Sequence, residues 1–192
     1  LNKGVTLIDP ETNYFSYDTI IKKDVTIFPN VFIGEGVKIQ SGSNILSYCH
    51  LENCSIKKNV SIGPFARIRG NTVLNEKVKI GNFVELKGVI SEKEVKINHL
   101  SYIGDTTIGR SSNIGAGSIT CNYDGHKKNK TSIGSNAFVG SNSTIVAPIK
   151  IGNNSTIGAG SVITDDVKKD DLAIGRQRQI NIKDRSITKK KN

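Results

Sequence analysis

The sequence predicts an all-β protein, a parallel β-helix built from hexapeptide repeats. Three observations predict it. Branched aliphatic residues recur every six positions, Gly often follows them, and a second apolar residue often stands two positions before. Period six fits no helix, whose apolar stripe recurs at 3.6. It fits short strands joined by tight turns, with three hexads to an 18-residue triangular coil.

Residues 1–18 lead in, with Asp9-Pro10 as a turn. The repeat then runs through Ile21, Ile27, Ile33, Ile39, Ile45 and Leu51. A five-residue step resets the register, and Ile56, Ile62, Ile68, Leu74, Ile80 and Leu86 follow. Around Ser91–Glu94 a charged hexad lacks its aliphatic residue. The series returns at Ile133, Val139, Ile145, Ile151, Ile157 and Ile163. Pairs such as Val25/Ile27 and Val37/Ile39 put two apolar side chains on one face of a strand. The Gly, Asn, Asp and Ser between them supply turns, including positive φ. One coil cannot bury its own core, so stability comes from stacked neighbours. Residues 19–167 are expected to hold about eight coils, a prism on the order of 40 Å long at about 4.8 Å per coil. The stretch Cys121–Ser132 interrupts the ladder as a protruding loop, and loops of that length in compact repeats are usually functional. Residues 168–192 form a basic C-terminal tail.

Composition narrows the function. The 192 residues are 36% apolar with 19 Gly, enough for one packed domain. No apolar run approaches the roughly 20 residues of a membrane span, and no leader precedes a cleavage site. A soluble cytoplasmic protein with no membrane partner is expected. Cys49, Cys54 and Cys121 are odd in number and lack C-x-x-C spacing, which argues against a disulfide framework and a structural zinc site. The chain starts at Leu1 and has no Met, so a fragment of a longer protein is expected. The net charge of +10 is concentrated late: residues 168–192 carry nine Lys or Arg against three Asp. Basic tails can bind nucleic acid. Here aromatic residues make up only 6% and do not interleave with basic ones as stacking platforms require, so no nucleic acid is expected. A small polyphosphate ligand or a solvated tail fits better.

The stretch Ile97–Lys130 holds the chemistry-bearing residues. His99 lies near Tyr102 in a strand, with Arg69, Glu85 and Lys87 one or two coils earlier and Asn113 one coil later. Arg69 and Lys87 are 18 positions apart and should stack on one face. Adjacent like charges are unfavourable unless an anion lies between them, and phosphate is the natural candidate. A histidine beside such a pair suits proton removal from a nucleophile on a phosphorylated substrate. His50, His99 and His126 lack the tight spacing of a zinc triad, and no metal site is expected. A non-catalytic, ice-binding solenoid would need regular T-x-T rows, whereas Thr is scattered here.

Five segments are specific enough to indicate a family: I-G-P-F-A-R-I-R (62–69), G-N-F-V-E-L-K (81–87), H-L-S-Y-I-G-D (99–105), N-I-G-A-G-S-I-T-C-N-Y-D-G (113–125) and V-G-S-N-S-T-I-V-A-P (139–148). Together they resemble the acetyltransferase domain of the bacterial bifunctional N-acetylglucosamine-1-phosphate uridyltransferase/glucosamine-1-phosphate N-acetyltransferases. The similarity runs from G-V-T-L-I-D-P (4–10) to A-I-G-R (173–176). The resemblance, not the periodicity, implies the left-handed form of the β-helix. It implies acetyl transfer from acetyl-CoA to the 2-amino group of glucosamine 1-phosphate, on the route to UDP-N-acetylglucosamine for peptidoglycan and lipopolysaccharide. His99 is then the general base. Arg69 and Lys87 bind the sugar phosphate, Tyr102 and Asn113 hold the sugar, and Glu85 orients or tunes the base. Asn122, Tyr123 and Lys128 reach the site from a neighbouring subunit of a homotrimer. Ala116, Ser141 and Ala159 contact the pantetheine, and Arg176, with Arg178, meets the CoA phosphates. The uridyltransferase domain, and with it Mg²⁺, is expected to be absent from this chain. The alternative is another hexapeptide-repeat acyltransferase with a different acceptor.

Overall fold

The structure is a computed structural model and describes residues 4–183. Arg185, Lys189, Lys190 and Lys191 of the expected basic tail lie outside the described residues. Short parallel strands, most of two or three residues, stack into three sheets of ten, nine and eight strands. Successive strands pass from one sheet to the next, so the sheets are the three faces of a β-helix.

The six-residue period becomes three internal columns. On the first face Ile27, Ile45, Ile62, Ile80, Ile97, Ile114, Val139 and Ile157 stand in successive register. The second face aligns Ile33, Leu51, Ile68, Leu86 and Ile103, and the third aligns Ile39, Ile56 and Leu74. Nearly all of these side chains are fully buried. Removing each from water is worth about 1.5–3 kcal/mol. Cys49 and Cys54 lie in the same core, and burial pushes their thiols up to about 11 and about 12.

Two polar residues enter the columns beside the central stretch. Ser91 pairs with Leu74 and Ile108 in the position of the missing aliphatic residue, and it is fully buried. Thr120 occupies the corresponding position on the second face, where its hydroxyl accepts the Gly104 N–H at 2.8 Å.

The ladder is longer than the expected 19–167. Thr6–Leu7 pairs with Thr26–Ile27, Tyr14–Phe15 with Phe32–Ile33, and Leu172–Ala173 with Thr156–Ile157. Residues 6–21 therefore form the first coil, with one strand on each face, and more than eight coils stack. The interruption is shorter than 121–132: Cys121 ends one strand and Thr131 begins the next.

One corner positions the site. Asn30, Tyr48, Phe65, Phe83 and Leu100 all turn there at φ between +53° and +62°. Gly117, Asn142 and Gly160 continue the turn in later coils. The residue before each turn offers its carbonyl to the coil above. Leu100 N–H donates to Asn82, Gly117 N–H to His99, Asn142 N–H to Ala116 and Gly160 N–H to Ser141, at 2.7–3.1 Å.

Candidate active site

His99 ends the strand Lys96–His99, which pairs with Lys79–Asn82. Among the described residues these are the two four-residue strands, and their extra length brings Asn82 into register with His99 at the corner. The close approach needs Gly81: a Cβ there would stand 1.8 Å from the Asn98 carbonyl oxygen. The imidazole is exposed, with Nδ1 2.5 Å from Oδ1 of Asn82. Glu85 makes no hydrogen bond to His99 among the described residues. Its carboxylate, expected to orient or tune the base, lies 2.7 Å from Nε of Arg69 and 3.9 Å from Arg67.

Round the corner, Arg69 and Lys87 are register partners on the second face, as their spacing predicts. Lys128 from the 122–130 segment comes against the Lys87 ammonium. That neighbouring cation first, and then desolvation, hold Lys87 below its usual range, while Asp105 opposes the shift. Three cations thus gather with one carboxylate paired to Arg69, an arrangement suited to a phosphate. Tyr102 pairs with Glu85 in the next row up. Its ring lies over Gly104, since a Cβ there would meet the Tyr102 hydroxyl at 2.7 Å and the Asn122 amide at 2.6 Å. Asn113 sits on the first face, half-buried in register with Lys96, three positions before the His99 row.

The segment after Cys121 folds back on its own chain. Asn122 is buried and donates its amide to Asp105 at 2.6 Å. Tyr123 bridges to Lys128, exposes its ring and donates its hydroxyl to the Gly125 carbonyl at 2.6 Å. Asp124 accepts the His126 and Lys127 N–H groups and the Asn129 amide at 2.8–2.9 Å, which pulls its carboxyl down to about 2. The chain thus brings Lys128 to Arg69 and Lys87 but does not present Asn122 to the exposed wall.

Beyond His99 the corner column continues through Ala116 and Ser141, with Ala159 in the next coil. Their small side chains make this a strip of low bulk. Arg176 borders its far end: its Cδ lies 3.7 Å from where a Cβ on Gly160 would stand. His99 and Ala159 are three coils apart, about 14 Å. Arg178 is exposed further along.

Two residues of the site went unread in the sequence. Asn82 lies 17 positions before His99, so a search at the coil length of 18 passes over it. Asp105 closes the H-L-S-Y-I-G-D segment, but its link to Asn122 depends on how residues 122–130 fold.

Family models match twice: "Bacterial transferase hexapeptide (six repeats)" over residues 53–88, and "Hexapeptide repeat of succinyl-transferase" over residues 130–165. Proteins named bifunctional protein GlmU are similar along nearly the whole chain. That of Wolbachia pipientis is 56% identical over 93% of this chain and 42% of its own length. That of Zymomonas mobilis is 55% identical over 94% and 40%. The chain therefore spans about two fifths of the length of these relatives. Among solved structures, an Arabidopsis UDP-N-acetylglucosamine acyltransferase superposes with a TM-score of 0.56 at 18% identity, covering 88% of this chain and 71% of that one. LpxA of Acinetobacter baumannii superposes at 0.52 with 19% identity, covering 90% and 71%. These two share the fold. By its repeats and its identity to these proteins, the chain belongs to the hexapeptide-repeat transferase family, in the branch formed by the C-terminal part of the GlmU bifunctional proteins.

Proposed function

We propose that the protein transfers the acetyl group of acetyl-CoA to the 2-amino group of glucosamine 1-phosphate, giving N-acetylglucosamine 1-phosphate and CoA. The observation that carries this reading is an exposed imidazole at the corner next to the wall where Arg69, Lys87 and Lys128 gather. The cations take the sugar phosphate, and Tyr102 and Asn113 hold the ring. As the amine nitrogen attacks the thioester carbonyl, His99 Nε2 accepts its proton. The tetrahedral intermediate collapses, the C–S bond breaks, and the CoA thiolate leaves to be protonated.

Acetyl-CoA fits the corner strip. Ala116, Ser141 and Ala159 are small enough to let a pantetheine run along it toward His99. Arg176 and Arg178 supply positive charge at the far end for the CoA phosphates. In a homotrimer the donor lies between subunits, and Tyr123, whose ring is exposed on the loop, is the residue that would meet a neighbour. No metal enters the step. The product feeds UDP-N-acetylglucosamine synthesis, and acting on soluble metabolites the enzyme belongs in the cytoplasm. No helix of the described residues is long and apolar enough to cross a membrane.

The test supplies acetyl-CoA with glucosamine 1-phosphate, with free glucosamine, or with UDP-linked amino sugars, and follows thiol release. Release should require glucosamine 1-phosphate. Equal rates with free glucosamine would remove the phosphate site. Preference for another amino sugar would favour a hexapeptide acyltransferase with a different acceptor.

A further inference from the structure

The geometry points to Asn82 as the positioning residue that sets the tautomer of His99, a role that rests on the acetyl-transfer reading above. Three independent features converge on this pair. The ladder is locally extended, so Asn82 and His99 are register partners where most first-face strands end two residues earlier. Gly81 allows that extension, because a Cβ at this position would overlap the Asn98 carbonyl. The side chains then meet, Nδ1 of the imidazole 2.5 Å from Oδ1 of the amide.

A neutral imidazole carries one N–H, and the hydrogen bond made by one ring nitrogen decides which one it is. An amide oxygen can only accept. Facing Nδ1, Asn82 Oδ1 selects the Nδ1–H form and leaves the lone pair on Nε2, the nitrogen directed away from the coil below. A free histidine side chain favours the opposite form, with the proton on Nε2, which cannot take a proton at that atom. The amide thus holds the minor tautomer of the free side chain, the one a general base needs. It also fixes the ring plane without adding charge.

The charged groups on the flanking elements are Lys96 on the same strand, Lys79 on the strand below, and Arg67, Arg69, Glu85 and Lys87 round the corner. None makes a hydrogen bond or ion pair with the imidazole among the described residues. Asn113 on the strand above and Tyr102 beyond the corner are neutral. The partner that selects the tautomer is therefore the amide.

The test has two arms, one of which needs no catalysis. In the full chain labelled with ¹⁵N-histidine, the His99 ring shifts above pH 8 should report Nδ1–H in the unsubstituted protein. They should move toward Nε2–H in Asn82→Ala, while Asn82→Asp, which keeps an acceptor oxygen, should retain Nδ1–H. His50 and His126 serve as internal references. In the second arm, Asn82→Ala should lower kcat by at least about tenfold, with the KM for glucosamine 1-phosphate changed less than threefold. Asn82→Asp should recover most of kcat, with the acid limb of its pH profile moved to higher pH by the added carboxylate. An Nε2–H signal in the unsubstituted protein, or ring shifts unaltered in Asn82→Ala, would overturn the role. If the tautomer follows Asn82 while kcat does not, the positioning stands and His99 is not the base. That outcome separates failure of this inference from failure of the functional reading.

Discussion

Arg69 and Lys87 are register partners on adjacent strands of one face, and the Glu85 carboxylate beside them lies 2.7 Å from the Arg69 guanidinium. Glu85 balances Arg69, while the Lys87 ammonium meets another cation, Lys128, with Asp105 only partly opposing it. The face carries an excess of positive charge where the corner histidine projects, and this excess is what a dianionic sugar phosphate would neutralise.

Removing one of these cations should weaken the acceptor rather than the donor. A hydrogen bond to a charged group is worth about 1.5–3 kcal/mol, so Arg69→Ala or Lys87→Ala should raise the KM for glucosamine 1-phosphate about 10–100-fold. The KM for acetyl-CoA should stay within about twofold. Steady-state kinetics with each substrate varied in turn checks this, and a change confined to acetyl-CoA would mean that the phosphate binds elsewhere.

Loss of the base should act on the chemical step. His99→Ala should lower kcat by about 10²–10⁴-fold, the usual worth of a general base. Both substrates should still raise the melting temperature of the variant. Undiminished turnover would remove His99 from the mechanism.

The Lys87–Lys128 contact makes a pH-dependent prediction. Lys87 is held below its usual 10.5 in the fold, chiefly by Lys128 and then by desolvation. The unfolded chain therefore holds this proton more tightly than the folded one. The cost to stability is fully present at neutral pH and is relieved as pH rises through the window just below 10.5. Lys128→Gln should accordingly melt higher than the unsubstituted protein at pH 8 without ligand, with the gap closing as pH approaches 10.5. Inorganic phosphate should narrow the gap at pH 8 by bridging the two ammonium groups. A lower melting temperature for Lys128→Gln at pH 8 would contradict the contact.

Asp124 makes the opposite prediction at acid pH. Its carboxyl is pulled down to about 2, first by the Lys127 and His126 N–H groups and then by the Asn129 amide. The order it gives residues 123–129 is complete above the unfolded value of 3.8 and is lost as pH falls toward 2. In Asp124→Ala, trypsin should cut after Lys127 or Lys128 several-fold faster at neutral pH. In the unsubstituted protein, pepsin should nick this segment only below about pH 4. Cleavage rates that do not distinguish the variant would mean the turn is held by other contacts.

The site is legible in the sequence to the extent that the ladder is regular. In a solenoid with fixed register, 18 positions along the chain become one strand spacing across it, so the stacking of Arg69 on Lys87 follows from counting. The same counting passes over Asn82, because a five-residue step shortens that coil to 17 and the strands are extended only where Gly81 removes a side chain. The resemblance implies that Glu85 orients or tunes the base, whereas its hydrogen bond in the fold is to Arg69. Residues 122–130 have no period, and their path over Lys87 and Asp105 follows from turn hydrogen bonds and the buried Asn122 amide.

The sequence by itself determined the fold class, the three aliphatic columns and the family, because a six-residue period admits few ways of burying its apolar residues and the motifs around His99 are specific. Only the tertiary structure decided where the ladder ends, which partner holds His99, that Glu85 serves Arg69, and that Lys128 closes on Lys87 within its own chain. Backbone register follows from periodicity, whereas side-chain partners and loop paths depend on local crowding, turn geometry and charge. Those act between residues whose separation in the sequence has no fixed meaning.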